Sequence, residues 1–315
     1  MSDVVVAGAY GGPEVLSVID EAVAEPGPGQ VRIAVRAAGV NPFDQKVYSG
    51  VFGTDPANLP LRLGAEAAGV VIAVGAQASG PAGPVEVGDE VIAYRASGAY
   101  AAELVVPASS VVPKPAGLSW EEAGGLMAAG ATAVHVLEAI GVGKDDAVLI
   151  HGAAGGVGLM AVQLAVARGA TVLATASPAK HDLLRDLGAI PIAYGPGLAD
   201  RVRAAAPEGV HAAADLVGTD EAVDVSVELV ADRSRIATIA GFARGAQAGI
   251  KLLGGSPGAD PGTDVRAAAR LQLTEAVEAG RLRVLIAGSY PLREAAAAHR
   301  QIMTGHTSGK IVLLP

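Results

Sequence analysis

"HGAAGGVGLMAVQLAVARG", residues 151–169, follows the apolar run AVLI and opens on a cluster of glycines. An apolar run, a glycine turn and a longer apolar stretch without proline read as a buried strand entering a helix. Between Ala147 and Ala167 there is no Asp, Glu, Lys or Arg, a length able to span a bilayer. Gly152, Gly155, Gly156 and Gly158 crowd its first half and Gln163 lies beyond, so a parallel strand and its crossover helix are expected instead. Gly155 and Gly158 fill two positions of the dinucleotide fingerprint G-x-G-x-x-G, and Ala153 stands at the first. A missing Cβ lets the backbone approach a pyrophosphate, and the helix start offers unpaired N–H groups and a positive dipole end. Nucleotide binding is therefore expected; the plain alternative is a tight strand–helix turn without a ligand.

Downstream the grammar repeats. TVLATA, AKHDLLRDLG, PIAYG, LADRVRAAAPEG, HAAADLVG, EAVDVSVELV and RIATIAGF continue an alternation that predicts βαβ units on a parallel sheet. Upstream, short β-type runs such as QVRIAVRAAGV, GVVIAVG and DEVIAY are broken repeatedly by Gly and Pro, which predicts an irregular, mostly antiparallel barrel. Ser119 followed by Glu121 and Glu122 marks a helix start, where the pattern changes. The expected organisation is a β domain over 1–118, a Rossmann-type domain over 119–260, and a return to the first domain over 261–315. Two decoys are set aside. VVVAGAYGGPEVL runs into Pro13 and a second β-type run, so it reads as a hairpin. GVGKDD at 141–146 lacks the hydroxyl residue and the spacing of a P-loop and reads as a turn.

The second strand, ending ATASPAK, bears on which nucleotide is held. No acid lies between Thr171 and His181, where an NAD-preferring fold places one for the ribose diol. Ser177 can donate a hydrogen bond and Lys180 carries charge, which suits a 2′-phosphate. NADPH is expected; the alternative is that Lys180 is a solvated first-turn lysine. The net charge of −9 and the lack of a basic run disfavour a nucleic-acid partner. With no cysteine there is neither disulfide nor thiolate metal site, which fits a reducing cytoplasm. No signal peptide is read in MSDVVVAGAY, and no membrane partner is expected.

Six stretches together resemble one family. They are YGGPEVL (10–16), AAGVNPFD (37–44), LGAEAAGVVIAVG (63–75), GAYAAELVVP (98–107), HGAAGGVGLMAVQLA (151–165) and GHTSGKIVL (305–313). In that order they are similar to the medium-chain dehydrogenase/reductases, in the zinc-free quinone oxidoreductase (zeta-crystallin-like) branch. The resemblance implies a GroES-like catalytic domain with a Rossmann domain, and NADPH in the cleft between them. Carried onto matching positions, its cofactor contacts are Thr132, Gly155, Gly156, Val157, Ser177, Lys180 and Tyr194. Toward the nicotinamide they are Leu216, Ala240, Gly241 and Phe242, with Leu253 and Gly254 matching more loosely.

Zinc enzymes of that superfamily set a Cys and a His–Glu pair around the ion. The resemblance puts Asn41 at the Cys position and Ala65 before Glu66, and neither Asn nor Ala replaces a thiolate or an imidazole. The six histidines show no metal-binding spacing. A metal-free enzyme is expected, one that hands a hydride to an already electrophilic small molecule, a quinone or an enone or enal. The charge that develops on the acceptor oxygen needs a donor. Close quinone oxidoreductases often have Tyr where this chain has Lys46 and Arg where it has Tyr48, and relatives that reduce enones have Lys at the first of these. Lys46 or Tyr48 is therefore expected to face the nicotinamide from a shared strand face, with Asn41 and Asp44 fixing the loop. The alternative pairs Lys46 with Asp44 and leaves protonation to solvent. Two other functions stay open: an enoyl-thioester reductase, because 151–165 and ATASPAK also resemble the enoyl reductase domains of polyketide and fatty-acid synthases, and a non-catalytic NADPH-binding sensor or structural protein. AGIKLLGG (248–255) reads as an apolar strand at the sheet edge, which predicts a homodimer by edge-to-edge extension.

Overall fold

The computed structural model describes all 315 residues, Met1–Pro315. The chain divides into two units: Met1–Ala128 with Arg270–Glu278 and Val284–Pro315, and Ala129–Ala269 with Ala279–Arg283.

The first unit is built on the long strand Gln30–Val40. On one side it pairs antiparallel with Glu66–Val74. On the other its first half meets Glu103–Pro107 and its second half meets Lys310–Leu314. The C-terminal strand therefore completes the N-terminal sheet, and Ile286–Pro291 extends it in parallel. The alternation of QVRIAVRAAGV sends Val31, Ile33 and Val35 inward, while Arg32 and Glu103 pair outside. Residues from both ends fill one core, with Val71, Tyr48, Tyr100, Leu292, Ala298 and Leu313 among them. The N-terminal glycine stretch is the hairpin expected of it: Ser2–Ala7 pairs antiparallel with Leu16–Glu21.

The second unit is a six-stranded, wholly parallel sheet. Its spatial order is Ile190–Ala193, Thr171–Ala176, Ala147–His151, Ala212–Asp215, Ile236–Thr238, Lys251–Leu252. Numbered within the unit this is 3-2-1-4-5-6, the doubly wound order with its switch point beside the first strand. The apolar stretch that could have passed for a membrane span is the central strand Ala147–His151 plus the helix Gly156–Ala167, and no helix of the chain is long and apolar enough to cross a membrane. Alanines make up most of Ala212–Asp215, fully buried, so crossover helices approach the sheet closely over Leu149, Leu173, Val202, Val223 and Ile236. EAVDVSVELV, valine-rich, is a helix, Asp220–Leu229. The Thr219 hydroxyl accepts from Ala222 N–H at 3.2 Å and two acids occupy its first turn, so the cap and dipole outweigh β-branched propensity.

Candidate functional site

In the second unit the strand Ala147–His151 ends in Gly152, whose φ of +69° is a left-handed turn that L side chains rarely adopt. Ala153 stands at the first fingerprint position because the turn is taken one residue earlier, and Ala153 itself is buried with its N–H on Thr175 O at 3.1 Å. A Cβ on Gly158 would lie 2.3 Å from Gly152 O, so glycine there lets the helix press on the loop. The helix Gly156–Ala167 has Gly155 at its N-cap, no side-chain cap and no acid in its first turn. Its leading N–H groups are thus offered with a positive dipole end, a cradle suited to a pyrophosphate. The residues present fit a bound dinucleotide: Gly155, Gly156 and Val157 form the rim of that cradle.

Ala176 and Ala193 are register partners, so Ser177 and Tyr194 leave adjacent strands side by side. The 3₁₀ turn Pro178–Lys180 folds Lys180 back until its N–H meets Ser177 O at 2.9 Å. Ser177, Lys180 and Tyr194 are so brought together at one edge of the sheet's C-terminal end, and Tyr194 is 56% exposed. Arg201, unnoticed in the sequence, ties down the Tyr194 loop by donating to the carbonyls of Ala193, Gly195 and Pro196 at 3.0, 2.8 and 2.8 Å.

The expected nicotinamide-side residues lie on loops at the same end of the sheet. Leu216 is half-buried, and its N–H meets His151 O at 3.2 Å. Ala240 and Gly241 donate to the Thr238 hydroxyl, and Phe242 opens the helix Phe242–Ala248. Leu253 is buried at 2% exposure, and its N–H meets Thr238 O at 2.9 Å. Thr132 accepts from Arg266 at 3.0 Å; Arg266 also donates to His135 Nδ1, which leaves His135 Nε2–H for Asp260 at 3.3 Å. Burial lowers the His135 pKa.

The strand edge expected for dimerisation is present but short. Lys251–Leu252 is the outermost strand, and Asp260 N–H already occupies Leu252 O at 2.8 Å while Gly254 N–H meets Asp260 O at 2.7 Å.

In the first unit NPFDQKVYSG is neither strand nor loop but the helix Pro42–Tyr48. Pro at the first position and Asp44, which accepts from Asn41 N–H at 2.9 Å, start it. The shared face expected for Lys46 and Tyr48 is therefore lost, since residues two apart on a helix point about 200° apart. Tyr48 is fully buried, with its hydroxyl on His299 Nδ1 at 3.1 Å, so it does not face outward. Lys46 is half-buried, and Asp44 turns into the core, where Tyr100 OH donates to it at 2.9 Å. Because Tyr100 gives its proton to Asp44, it accepts from His299 Nε2–H at 3.2 Å, and Nδ1 accepts from Tyr48. Burial pushes the Asp44 carboxyl up to about 6 and the His299 imidazole down to about 4. The same cause drives the Tyr48 hydroxyl up to about 12.

Asn41 and Glu66 are spoken for. Lys310 Nζ donates to Glu66 Oε1 at 3.0 Å, to Val40 O at 3.2 Å and to Asn41 Oδ1. Asn41 Nδ2 donates to Glu66 Oε1 at 3.1 Å and Gly39 O at 3.3 Å, and Ala128 N–H meets Glu66 Oε2 at 2.7 Å. Glu66 is 0% and Lys310 4% exposed, a buried ion pair with its hydrogen bonds made. An amide, an alanine and a carboxylate neutralised by an ammonium do not fit zinc, which takes thiolate, imidazole or free carboxylate. Lys310 was invisible in the sequence as a partner; its only signal was the stretch GKIVL itself.

Comparison with known proteins agrees with both units. The alcohol dehydrogenase GroES-like domain family matches residues 27–116, and the zinc-binding dehydrogenase family matches residues 187–313. A quinone oxidoreductase of Pseudomonas aeruginosa is 35% identical, covering 98% of each chain. The structure of Escherichia coli quinone oxidoreductase complexed with NADPH superposes with a TM-score of 0.86 at 26% identity, over 99% of this chain and 100% of that one. A trans-enoyl reductase of Aspergillus terreus is 39% identical over 57% of this chain and 63% of its own length.

Proposed function

The chain belongs to the medium-chain dehydrogenase/reductase superfamily, in its quinone oxidoreductase branch, and from that premise we propose that it is a zinc-independent oxidoreductase reducing a conjugated carbonyl compound with NADPH. The acceptor is a quinone or an enone or enal. The observation that carries the reading is the uncapped helix Gly156–Ala167, with Ser177 and Tyr194 leaving adjacent strands of the same parallel sheet and Lys180 turned back on Ser177. A strand end without an acid favours a 2′-phosphate over a free ribose diol.

NADPH, when bound, supplies the hydride. The acceptor takes up that hydride and one proton, so a C=C–C=O or quinone system becomes its two-electron-reduced product. The chain's part is to hold the cofactor, exclude water and orient the acceptor. Lys46 is the proposed proton source from the helix Pro42–Tyr48, since Tyr48 spends its hydroxyl on His299. Solvent is the other source. Lys310 and Asn41 hold Glu66 rather than touch the acceptor.

The test is NADPH oxidation with 1,2- and 1,4-naphthoquinone and simple enones. The proposal expects turnover with these, no zinc by elemental analysis and no loss to a chelator. One zinc per chain with chelator-sensitive activity would overturn it. The match to a fungal trans-enoyl reductase favours a second reading, reduction of an enoyl thioester, which predicts that crotonyl-CoA outruns both quinones. We further propose a cytoplasmic homodimer. Because Asp260 covers the outer side of Lys251–Leu252, the contact would have to include the returning segment at 253–260. Sedimentation equilibrium showing only a 31.1 kDa species at micromolar concentration would reject it.

A further inference from the structure

Asp215 ends the strand Ala212–Asp215 with its carboxylate fully buried. Its Oδ1 accepts from Val217 N–H at 3.0 Å and Gly218 N–H at 2.8 Å. Its Oδ2 accepts from the Thr238 hydroxyl at 2.7 Å, on the neighbouring parallel strand. The Thr238 oxygen, having given its proton, accepts from Ala240 N–H at 3.1 Å and Gly241 N–H at 2.8 Å. One carboxylate therefore sets the backbone of two loops: the one after Asp215 directly, the one after Thr238 through a hydroxyl.

The fit leaves no slack. A Cβ on Gly241 would lie 2.9 Å from Asp215 Oδ2, and one on Gly218 would lie 2.8 Å from the Ala240 Cβ. His151, on the next strand, is the titratable group that senses this charge; burial holds it neutral, with a pKa of about 4, while its ring bonds Ser226 and Thr175. The donors on Asp215 named above are neutral backbone and hydroxyl groups. A full charge buried on such donors is an expensive way to shape two loops unless their spacing matters.

We infer that Asp215, acting through Thr238, is the positioning residue for the nicotinamide half of the cofactor site: it fixes the separation of Leu216 from Ala240–Phe242. The inference rests on the proposed NADPH reading. It predicts that damage to the pair is felt by the nicotinamide half and not by the adenosine half, which lies with Ser177, Lys180 and Tyr194.

The test compares binding of NADPH and of 2′,5′-ADP, which has no nicotinamide, to the full-length chain by calorimetry. Asp215→Asn and Thr238→Val should each raise the NADPH Kd about tenfold or more and leave the 2′,5′-ADP Kd within about twofold. Thr238→Ser, which keeps the hydroxyl, should restore NADPH binding. Equal weakening of both ligands, or no change in either with Thr238→Val, would overturn the inference. If Asp215→Asn does not fold, the Thr238 pair decides alone. Wild-type protein that binds 2′,5′-ADP but shows no change across the variants refutes only the positioning role. Wild-type protein that binds neither ligand refutes the cofactor reading and this inference with it.

Discussion

At the turn Pro178–Lys180, Lys180 N–H returns to Ser177 O at 2.9 Å, next to Tyr194 on the adjoining strand. If this corner holds a 2′-phosphate, Lys180→Ala should lower kcat/KM with NADPH by roughly ten- to a hundredfold, the loss of one or two charge-assisted contacts. The same variant should leave kcat/KM with NADH nearly unchanged, so steady-state assays with the two cofactors decide it. Asp44 makes a different kind of demand. Burial raises its carboxyl from 3.8 to about 6, so the stability it contributes is full below about 3.8 and is lost as pH rises through 6. Ionisation then costs up to about 3 kcal/mol at neutral pH. Asp44→Asn keeps an acceptor for Tyr100 and Asn41 but no charge. Urea midpoints should therefore favour the variant more at pH 8 than at pH 5. An identical offset at the two pH values would mean that the carboxylate titrates in its ordinary range.

The strand–turn–helix of residues 147–167 was legible because each part is local: an apolar run, glycines at fixed spacing, then a glycine-poor apolar stretch. The fingerprint's one flaw, Ala153, has a local cause too, since Gly152 takes the left-handed turn. The helix Pro42–Tyr48 was not legible. Seven residues with a proline at the start and tyrosine at the end carry too little periodicity to tell helix from strand, and a single wrong period reverses which side chains share a face. The two glycines of the loop separate binding from folding. Gly155 has an ordinary φ of −75° and an added Cβ would only touch Gly152 O at 3.4 Å, whereas on Gly158 it would clash at 2.3 Å. Gly155→Ala should keep the thermal midpoint within a few degrees and weaken NADPH binding, because the methyl enters the pyrophosphate cradle. Gly158→Ala should lower both the midpoint and the binding. Equal midpoints for the two variants would show that the helix does not press on the loop as described.

Across the whole chain, what the sequence hides is long-range pairing between polar groups. Lys310 reaches Glu66 and Asn41 from more than two hundred residues away, and His299 reaches Tyr48 and Tyr100 in the same unit. No periodicity marks these partners: a single polar residue adds nothing to an apolar repeat, and Asn41 and Tyr100 lie outside the strands and helices. The Lys310 bonds fasten the C-terminal strand Lys310–Leu314 into the N-terminal sheet beside Gln30–Val40. The ion pair is the sharpest test. Lys310→Met fills a similar volume but strands the Glu66 carboxylate in the core, which should cost about 3 to 5 kcal/mol. Glu66→Gln alone leaves the ammonium facing a neutral amide in place of its counter-charge. In the double variant the introduced amide keeps one acceptor for its former donors, Ala128 N–H and Asn41 Nδ2, and no buried charge is left without a partner. The double variant should therefore be less destabilised than the sum of the singles by more than about 1 kcal/mol in a double-mutant cycle read by urea denaturation. Strict additivity would mean that Lys310 and Glu66 do not depend on each other, and that packing of the C-terminal strand alone closes the sheet.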